Sequence, residues 1–412
     1  MVEIKLNRIK RIFANIRRNF NLRYRNILYK ARSFKYLISI NKNIRILLIA
    51  YYNPIGLRTI VDNIISFINI SKYTYDVINL YSIPYSKYYD YIPNSVNLKQ
   101  YNAIIFHNTT TYNNIMFNNI YNDLSDRLCN YKGVIIVMKQ DEHYRINDII
   151  NIIHKLNTKI ILTCLKPEYV RMVYNIELFP NVEFLHVLTG YITHEMRNIK
   201  CNNLENRQID IGYRGSKQPY SFGRLSYEKQ EIGNYFIKLC KDRGIVADIS
   251  SEYNDRIYEN KWFEFLGNCK ATLGVESGAS VFDFTGEIEN NCFEYLKINP
   301  NAEFETVQKL FLNPYENKIY YNQISPRHFE AAACRTLQIM YEGEYSGIYI
   351  PYRHYIPLKR DKTNIEDVLE RFNNIKERKR ITENAFNDIV MNDINMYSTF
   401  VKQFDNLISK YI

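Results

Sequence analysis

Residues 44–68 read "IRILLIAYYNPIGLRTIVDNIISFI", and this stretch indicates the fold. Its first part, 44–52, is an apolar run of strand length, and Asn53, Pro54 and Gly56 then give a turn signal. The remainder carries apolar residues at helical spacing. A buried strand joined to a helix by a short turn is the repeating unit of an α/β protein with a parallel sheet.

The same unit recurs along both halves of the chain. The strand-like runs "YNAIIFH", "GVIIVM" and "KIILTCL" each precede a helical segment in the first half. The polar stretch 198–208 is interpreted as a hinge, after which "IDIGYRG", "IVADIS" and "KATLGVES" begin a second series. We therefore predict an α/β chain with two Rossmann-like doubly wound domains facing a cleft, at 44–197 and 208–393, and a C-terminal helix at 394–412. Neither first strand is followed by a Gly-x-Gly-x-x-Gly fingerprint, which argues against a nicotinamide or flavin enzyme.

The excess positive charge lies at the start of the chain. The sequence has 54 Lys and Arg against 43 Asp and Glu, and residues 1–44 carry 12 of the basic residues and one acid, Glu3. The rest is balanced, which argues against a nucleic-acid-binding body and against nucleic acid as a partner. Apolar residues recur at helical spacing within this segment, so we predict a basic helical N-terminal arm at 1–43. Such an arm either lies on an anionic membrane surface or is a solvated helix or linker.

Targeting and cysteine signals point to one compartment. No apolar run approaches the roughly 18 residues of a membrane span, and no signal-peptide core follows the first residue. The seven cysteines are scattered and lack CxxC spacing, which predicts reduced thiols and argues against a zinc site. The prediction is a cytoplasmic protein, peripheral at the inner membrane face if the arm binds lipid.

The stretch 324–343, "ISPRHFEAAACRTLQIMYEG", contains the most informative charged residues. Ser325 followed by Pro326 predicts a helix start, because serine caps free backbone N–H groups and proline fits the first helical position. Arg327 and Glu330 then lie three residues apart on one face. They form either a surface ion pair or part of an anion site at a helix start near a sheet edge.

Several stretches together resemble the GT-B glycosyltransferases, especially the group 1 transferases and their spore-protein-like relatives. The resemblance covers most of residues 130–360 and is carried by "QDEHYR" (140–145), "LTGY" (188–191), "DIGYRG" (210–215), "FGRLSYEKQEIG" (222–233), "IYENKWFEFLGNCKATLGVESGASVFDFTGEI" (257–288) and "SPRHFEAAACRTLQIMYEGEYSGIYIPYRHYIPL" (325–358). It implies that the C-terminal domain binds a nucleotide-sugar donor and the N-terminal domain an acceptor, without a bound metal or another cofactor.

The resemblance also implies donor-binding residues. Glu330 matches the family's glutamate that accepts hydrogen bonds from the donor ribose, and a carboxylate suits a vicinal diol because it is an acceptor only. Arg327 and the helix start at Ser325 are expected to neutralise the diphosphate. Arg214 and Gly215 end the first strand of the second half, at the ligand edge of an open sheet, and are predicted to contact phosphate or to be an exposed loop.

Further residues are placed at strand ends. Glu276 and Ser277 follow a strand of the second half and are predicted to line the sugar pocket. Asp141 is the first candidate for a catalytic base and His107 the second, because each follows a first-half strand next to the cleft. Their structural alternatives are a strand-end cap and a core histidine. Asn322 stands where many retaining group 1 transferases carry the first of two glutamates, so the stereochemistry stays open.

We therefore expect a metal-independent, hexosyltransferase-type glycosyltransferase. Its partners would be a nucleotide-sugar donor and a glycan or lipid-linked acceptor, of the kind used to build cell-surface polysaccharide. A sugar-nucleotide epimerase shares this two-domain fold and is the alternative. The two differ in one respect, since an epimerase changes the donor without an acceptor.

Overall fold

The structure, a computed structural model, describes residues 44–82, 92–175, 177–258 and 260–412. The basic helical arm predicted for 1–43 lies outside the described residues. Within those ranges, no helix is both long enough and apolar enough to cross a membrane.

The first domain is built on a six-stranded parallel sheet. Its strands are β1 (Arg45–Ala50), β2 (Thr74–Asn79), β3 (Ala103–Phe106), β4 (Val134–Met138), β5 (Ile160–Thr163) and β6 (Glu183–His186). The spatial order is β2-β1-β3-β4-β5-β6. Its helices are α1 (Arg58–Ile70), α2 (Asn108–Thr111), α3 (Asn114–Leu128), α4 (Ile146–Lys155) and α5 (Pro167–Val173). The inner strands β3, β4 and β5 are buried along their whole length, as expected for a sheet covered on both faces.

The second domain has a five-stranded parallel sheet and a separate hairpin. The strands are β7 (Ile209–Arg214), β8 (Ala247–Ser250), β9 (Cys269–Gly274), β10 (Ser277–Ala279), β11 (Tyr321–Gln323), β12 (Leu337–Tyr341) and β13 (Ile356–Leu358). The sheet order is β13-β12-β9-β7-β8, and β10 pairs antiparallel with β11. The chain therefore winds outward in both directions from β7, which is the doubly wound arrangement.

The helices of the second domain cover its sheet and lead out of it. They are α6 (Arg224–Arg243), α7 (Asn260–Asn268), α8 (Glu287–Ile298), α9 (Phe304–Val307), α10 (Pro326–Ala333), α11 (Ile365–Asn373), α12 (Ile375–Ala385) and α13 (Tyr397–Ile408), with π-helical turns at Gln308–Leu312 and Phe386–Val390. Helix α6 ends where Gly244 takes a left-handed backbone, φ 64°, and its N–H bonds to the carbonyl of Cys240. Apolar faces of α6 and α12 pack on the buried strands β7, β9 and β12.

The chain passes between the domains twice, and the two passages lie side by side. The first is the stretch 187–208, which contains the predicted hinge, and the second precedes α13. Ile192 and Met396 form an isolated bridge, with Ile192 N–H bonded to Asn395 O at 2.8 Å and Tyr397 N–H to Ile192 O at 3.1 Å. Helix α13 then packs into the core of the first domain through Phe400, Phe404 and other apolar residues.

Candidate active site

The candidate site lies where the carboxyl ends of the two sheets face each other. On the second-domain side it is built around the start of α10, which begins at Pro326 as predicted. Ser325 occupies the N-cap position with extended backbone, but its hydroxyl makes no capping hydrogen bond. The expected serine cap is therefore absent, and proline with its fixed φ defines the helix start.

Arg327 and Glu330 do not pair with each other. The Glu330 carboxylate is buried and accepts a hydrogen bond of 2.6 Å from the indole N–H of Trp262, while exposed Arg327 donates to the backbone carbonyl of Arg214. The Arg327 guanidinium also lies 5.8 Å from the Trp262 ring centroid. Burial raises the pKa of Glu330, and the Trp262 hydrogen bond and the Arg327 charge oppose that rise. Arg327 and Glu330 therefore do not form the surface ion pair that was the alternative interpretation of this stretch.

Trp262 is a site residue that sequence reasoning missed. It is the single tryptophan of the chain and lies on α7, 68 residues before its partner Glu330. A lone tryptophan inside one of the stretches that carry the family resemblance was the available signal.

Lys229, on α6, is a second missed residue and the most unusual cation of the site. Within the described part of the chain its ammonium has no hydrogen-bond or ion-pair partner. Burial and the nearby Arg327 charge together lower the pKa of Lys229 to about 8, and the Asp141 charge of the first domain opposes both. Two cations of the second domain, Lys229 and Arg327, therefore lie near each other and near Asp141 of the first domain.

On the first-domain side, Asp141 follows β4 in a left-handed backbone conformation, φ 60°. Its carboxylate lies beside the hydroxyl of Tyr112 and raises the pKa of that tyrosine. The Asp141 N–H donates to the hydroxyl of Tyr321 at 2.9 Å. Asp141 is partly exposed, which leaves its carboxylate accessible from the cleft.

His107 has the geometry of a structural residue. It is buried, and its ring nitrogens lie 2.9 Å from the Thr109 hydroxyl and 3.1 Å from the Asn63 side-chain oxygen. It also occupies the N-cap position of α2. Burial lowers the pKa of His107 to about 3. A base must reach the acceptor hydroxyl, so this arrangement favours the core-histidine interpretation.

Arg214 and Gly215 are engaged with their own domain. The Arg214 guanidinium forms an ion pair of 2.8 Å with Asp248, bonds to the Asp255 carbonyl and lies 4.5 Å from the Phe265 ring centroid. The Gly215 N–H bonds to a backbone carbonyl of β8. A Cβ on Gly215 would approach the Lys229 carbonyl to 3.1 Å, so glycine allows this loop to pack against α6. Phosphate contacts of Arg214 and Gly215 stay a prediction, and the Arg214 carbonyl orients Arg327.

Glu276 is buried and fully engaged. Its carboxylate accepts the N–H groups of Glu344 and Tyr345, at 3.1 and 2.7 Å, and the side-chain amide of Asn322 at 3.1 Å. It thus anchors the loop after β12, and a sugar-lining role for Glu276 stays a prediction. Ser277 begins β10 and is partly buried. The amide of Asn322 stands where the family's first glutamate was expected, so a carboxylate lies next to that position.

No cluster of three or more His, Cys, Asp or Glu side chains within the described ranges is arranged to hold a metal ion. No family model matches the sequence, and no curated protein sequence matches it.

Comparison with solved structures finds proteins of the same two-domain architecture. An α-glucosyltransferase in complex with UDP-glucose and DNA containing an abasic site matches with a TM-score of 0.52 and 12% identity, over 89% of this chain and 99% of that one. An α-glucosyltransferase with UDP and a 13-mer DNA containing an HMU base matches with the same TM-score and identity, over 89% and 100%. The OtsA apo structure matches at 8% identity, with a TM-score of 0.49, over 90% and 100%. At such identities the likeness concerns the fold, and the described chain has the GT-B fold of two Rossmann-like domains facing a cleft.

Proposed function

We propose that the protein is a glycosyltransferase that moves a sugar from a nucleoside-diphosphate donor to a hydroxyl group of an acceptor. The observation that carries this proposal is the pair of cations at the cleft, Lys229 and Arg327, beside the start of α10. A partly buried ammonium near a guanidinium destabilises the empty protein. A dianionic group placed between the two charges offsets that cost, and a donor diphosphate is such a group.

The donor is proposed to lie along the start of α10. Lys229, Arg327 and the helix N-terminus neutralise the diphosphate, which becomes the leaving group as the glycosidic bond to it breaks. Glu330 then binds the ribose diol. Trp262 holds one carboxylate oxygen, and the other, Oε1, accepts no hydrogen bond from a described residue and is left for a ribose hydroxyl.

Asp141 is proposed as the base on the acceptor side. As the new C–O bond forms, the acceptor hydroxyl passes its proton to the Asp141 carboxylate. Several large side chains that follow β1 and β3 on this side of the sheet are exposed, among them Ile55, Leu57, Tyr112 and Ile115. An acceptor with an apolar portion suits such a surface, so we favour a lipid-linked glycan presented at the cytoplasmic membrane face.

The proposed type of glycosyltransferase and its donor sugar follow from the resemblance of the sequence to group 1 and spore-protein-like transferases. We propose a hexose donor, and UDP-glucose is the first one to test because solved GT-B structures of the same fold are described with UDP-glucose. No step of the proposed reaction uses a metal ion.

The test begins with the melting temperature of the protein in the presence of a series of nucleoside-diphosphate sugars. A true donor stabilises the protein in proportion to the logarithm of its concentration above the dissociation constant. That donor is then incubated with the enzyme, with and without lipid-linked acceptors, and the released nucleoside diphosphate is measured. Stabilisation by no nucleotide sugar refutes the proposal, and conversion of the donor into another nucleotide sugar without an acceptor identifies an epimerase instead.

A further inference from the structure

Tyr321 belongs to the second domain, but its side chain is built into the first. It lies on β11, is almost completely buried, and is part of the apolar core that contains the first sheet. Its ring lies 5.7 Å from the His143 ring, measured between centroids. The residue therefore crosses the domain boundary at the loop that carries Asp141.

The Tyr321 hydroxyl is hydrogen-bonded to Asp141 and Glu142 of that loop. It accepts the Asp141 N–H at 2.9 Å and donates to the Glu142 carboxylate at 2.5 Å. Glu142 is completely buried and also accepts the Thr163 hydroxyl. One end of the loop is thus fixed by a side chain from the opposite domain.

The backbone of Asp141 has a conformation that such a contact helps to hold. A left-handed conformation is uncommon for residues other than glycine, and it persists where surrounding contacts hold it. Further along the loop, Asp283 pairs with the backbone of His143 and Arg145, with both N–H to O distances at 2.8 Å. Those bonds hold the later part of the loop, and the Tyr321 hydroxyl holds the part that carries the Asp141 carboxylate.

The strand that supplies Tyr321 continues directly into the donor side of the site. Gln323 donates to the Cys164 carbonyl at 2.5 Å, and the Ile324 carbonyl accepts the Thr189 hydroxyl at 2.6 Å. Both partners lie before β7, so β11 is tied to the first domain along its length. Helix α10, with Arg327 and Glu330, begins two residues after Ile324.

We propose that Tyr321 is a positioning residue, which sets the Asp141 carboxylate relative to the donor bound at α10. Only residues 322–325 separate Tyr321 from the start of α10, so the Asp141 loop and the donor helix keep one geometry. This inference rests on the proposed function. It assigns Tyr321 no contact with substrate and no proton transfer of its own.

The test is Tyr321→Phe, which keeps the ring and removes the hydroxyl. We expect kcat for sugar transfer to fall by about tenfold or more, because the Asp141 N–H and the Glu142 carboxylate both lose their hydrogen bonds to the hydroxyl. The dissociation constant for the donor should stay within about twofold, because the bond lies on the acceptor side. Tyr174→Phe is the matched control, since Tyr174 is as deeply buried and its hydroxyl has no hydrogen-bond partner among the described residues. The control should retain the kcat of the wild type.

A second arm combines Tyr321→Phe with Asp141→Asn. If Tyr321 acts through Asp141, the double variant has the kcat of Asp141→Asn alone. A further loss of about tenfold in the double variant overturns the inference. An unchanged kcat for Tyr321→Phe with a lowered melting temperature overturns it as well, because that result describes a packing role. If the wild type itself transfers no sugar from any donor, the proposed function fails and the inference fails with it.

Discussion

Replacing Lys229 by methionine is expected to stabilise the empty protein and to weaken donor binding. Its pKa lies at about 8 instead of 10.5 because burial and Arg327 disfavour the charged form. A pKa below the unfolded value means that the charge destabilises the fold at every pH below about 8, and that this effect fades as the pH rises toward 10.5. At about 1.4 kcal/mol per pKa unit, reduced for partial exposure to solvent, the gain at pH 7 is about 2–3 kcal/mol.

The donor loses one charge-assisted hydrogen bond in this variant, which weakens its binding by about 10–100-fold. Urea unfolding at pH 7 and pH 10 measures the first effect, and calorimetric titration with UDP-glucose or another confirmed donor measures the second. Lys238→Met is the matched control, because Lys238 is an exposed lysine on the same helix, and neither quantity should change. If Lys229→Met leaves both stability and donor affinity at the wild-type values, Lys229 is an ordinary solvated lysine and the reasoning is wrong.

Three further substitutions test other parts of the site. Glu330→Gln keeps the side-chain size and should weaken donor binding by at least about tenfold, as measured by calorimetry. A lower melting temperature with unchanged donor affinity would contradict ribose binding by Glu330. Arg214→Ala breaks the ion pair with Asp248 and should lower the melting temperature by about 2–4 °C, with little change in donor affinity. A larger loss of affinity for UDP than for uridine would instead indicate that Arg214 contacts phosphate. Asp62 has a pKa raised to about 6 by burial, so its contribution to stability is lost as the pH rises from about 4 to 6; Asp62→Asn should raise the melting temperature at pH 7 and not at pH 4.

The central strands could be predicted from the sequence because they are buried on both faces and read as uninterrupted apolar runs. The edge strands β2 and β6 are partly exposed and read "TYDVIN" and "EFLH", without such a run. The hairpin strands "SGA" and "YNQ" have three residues each, which is too short for a sequence pattern to predict them. Their pairing depends on residues about 40 positions apart, a distance that periodicity does not reach.

The residues of the candidate site also fall into two groups, those that a sequence pattern locates and those that depend on contacts between distant parts of the chain. Asp141, Arg327 and Glu330 follow strands or start a helix, and the rule that ligands bind at the carboxyl edge of a parallel sheet places them at the cleft. Trp262 and Tyr321 bind residues 68 and 180 positions away, and those pairs become visible once the fold brings them together. The ion pair of Arg214 with Asp248 could not be predicted either, because position at a strand end gives no information about where a long side chain points.

The return of α13 to the first domain affects how this protein can fold during synthesis. Six apolar residues of that helix complete the first core: Tyr397, Phe400, Val401, Phe404, Leu407 and Ile408. The ribosome must therefore make the whole second domain before the core of the first domain is complete. Until then, the apolar groove that α13 fills is exposed to solvent. The first domain expressed alone should behave as a chaperone client, and adding 397–408 as a separate peptide should rescue its solubility.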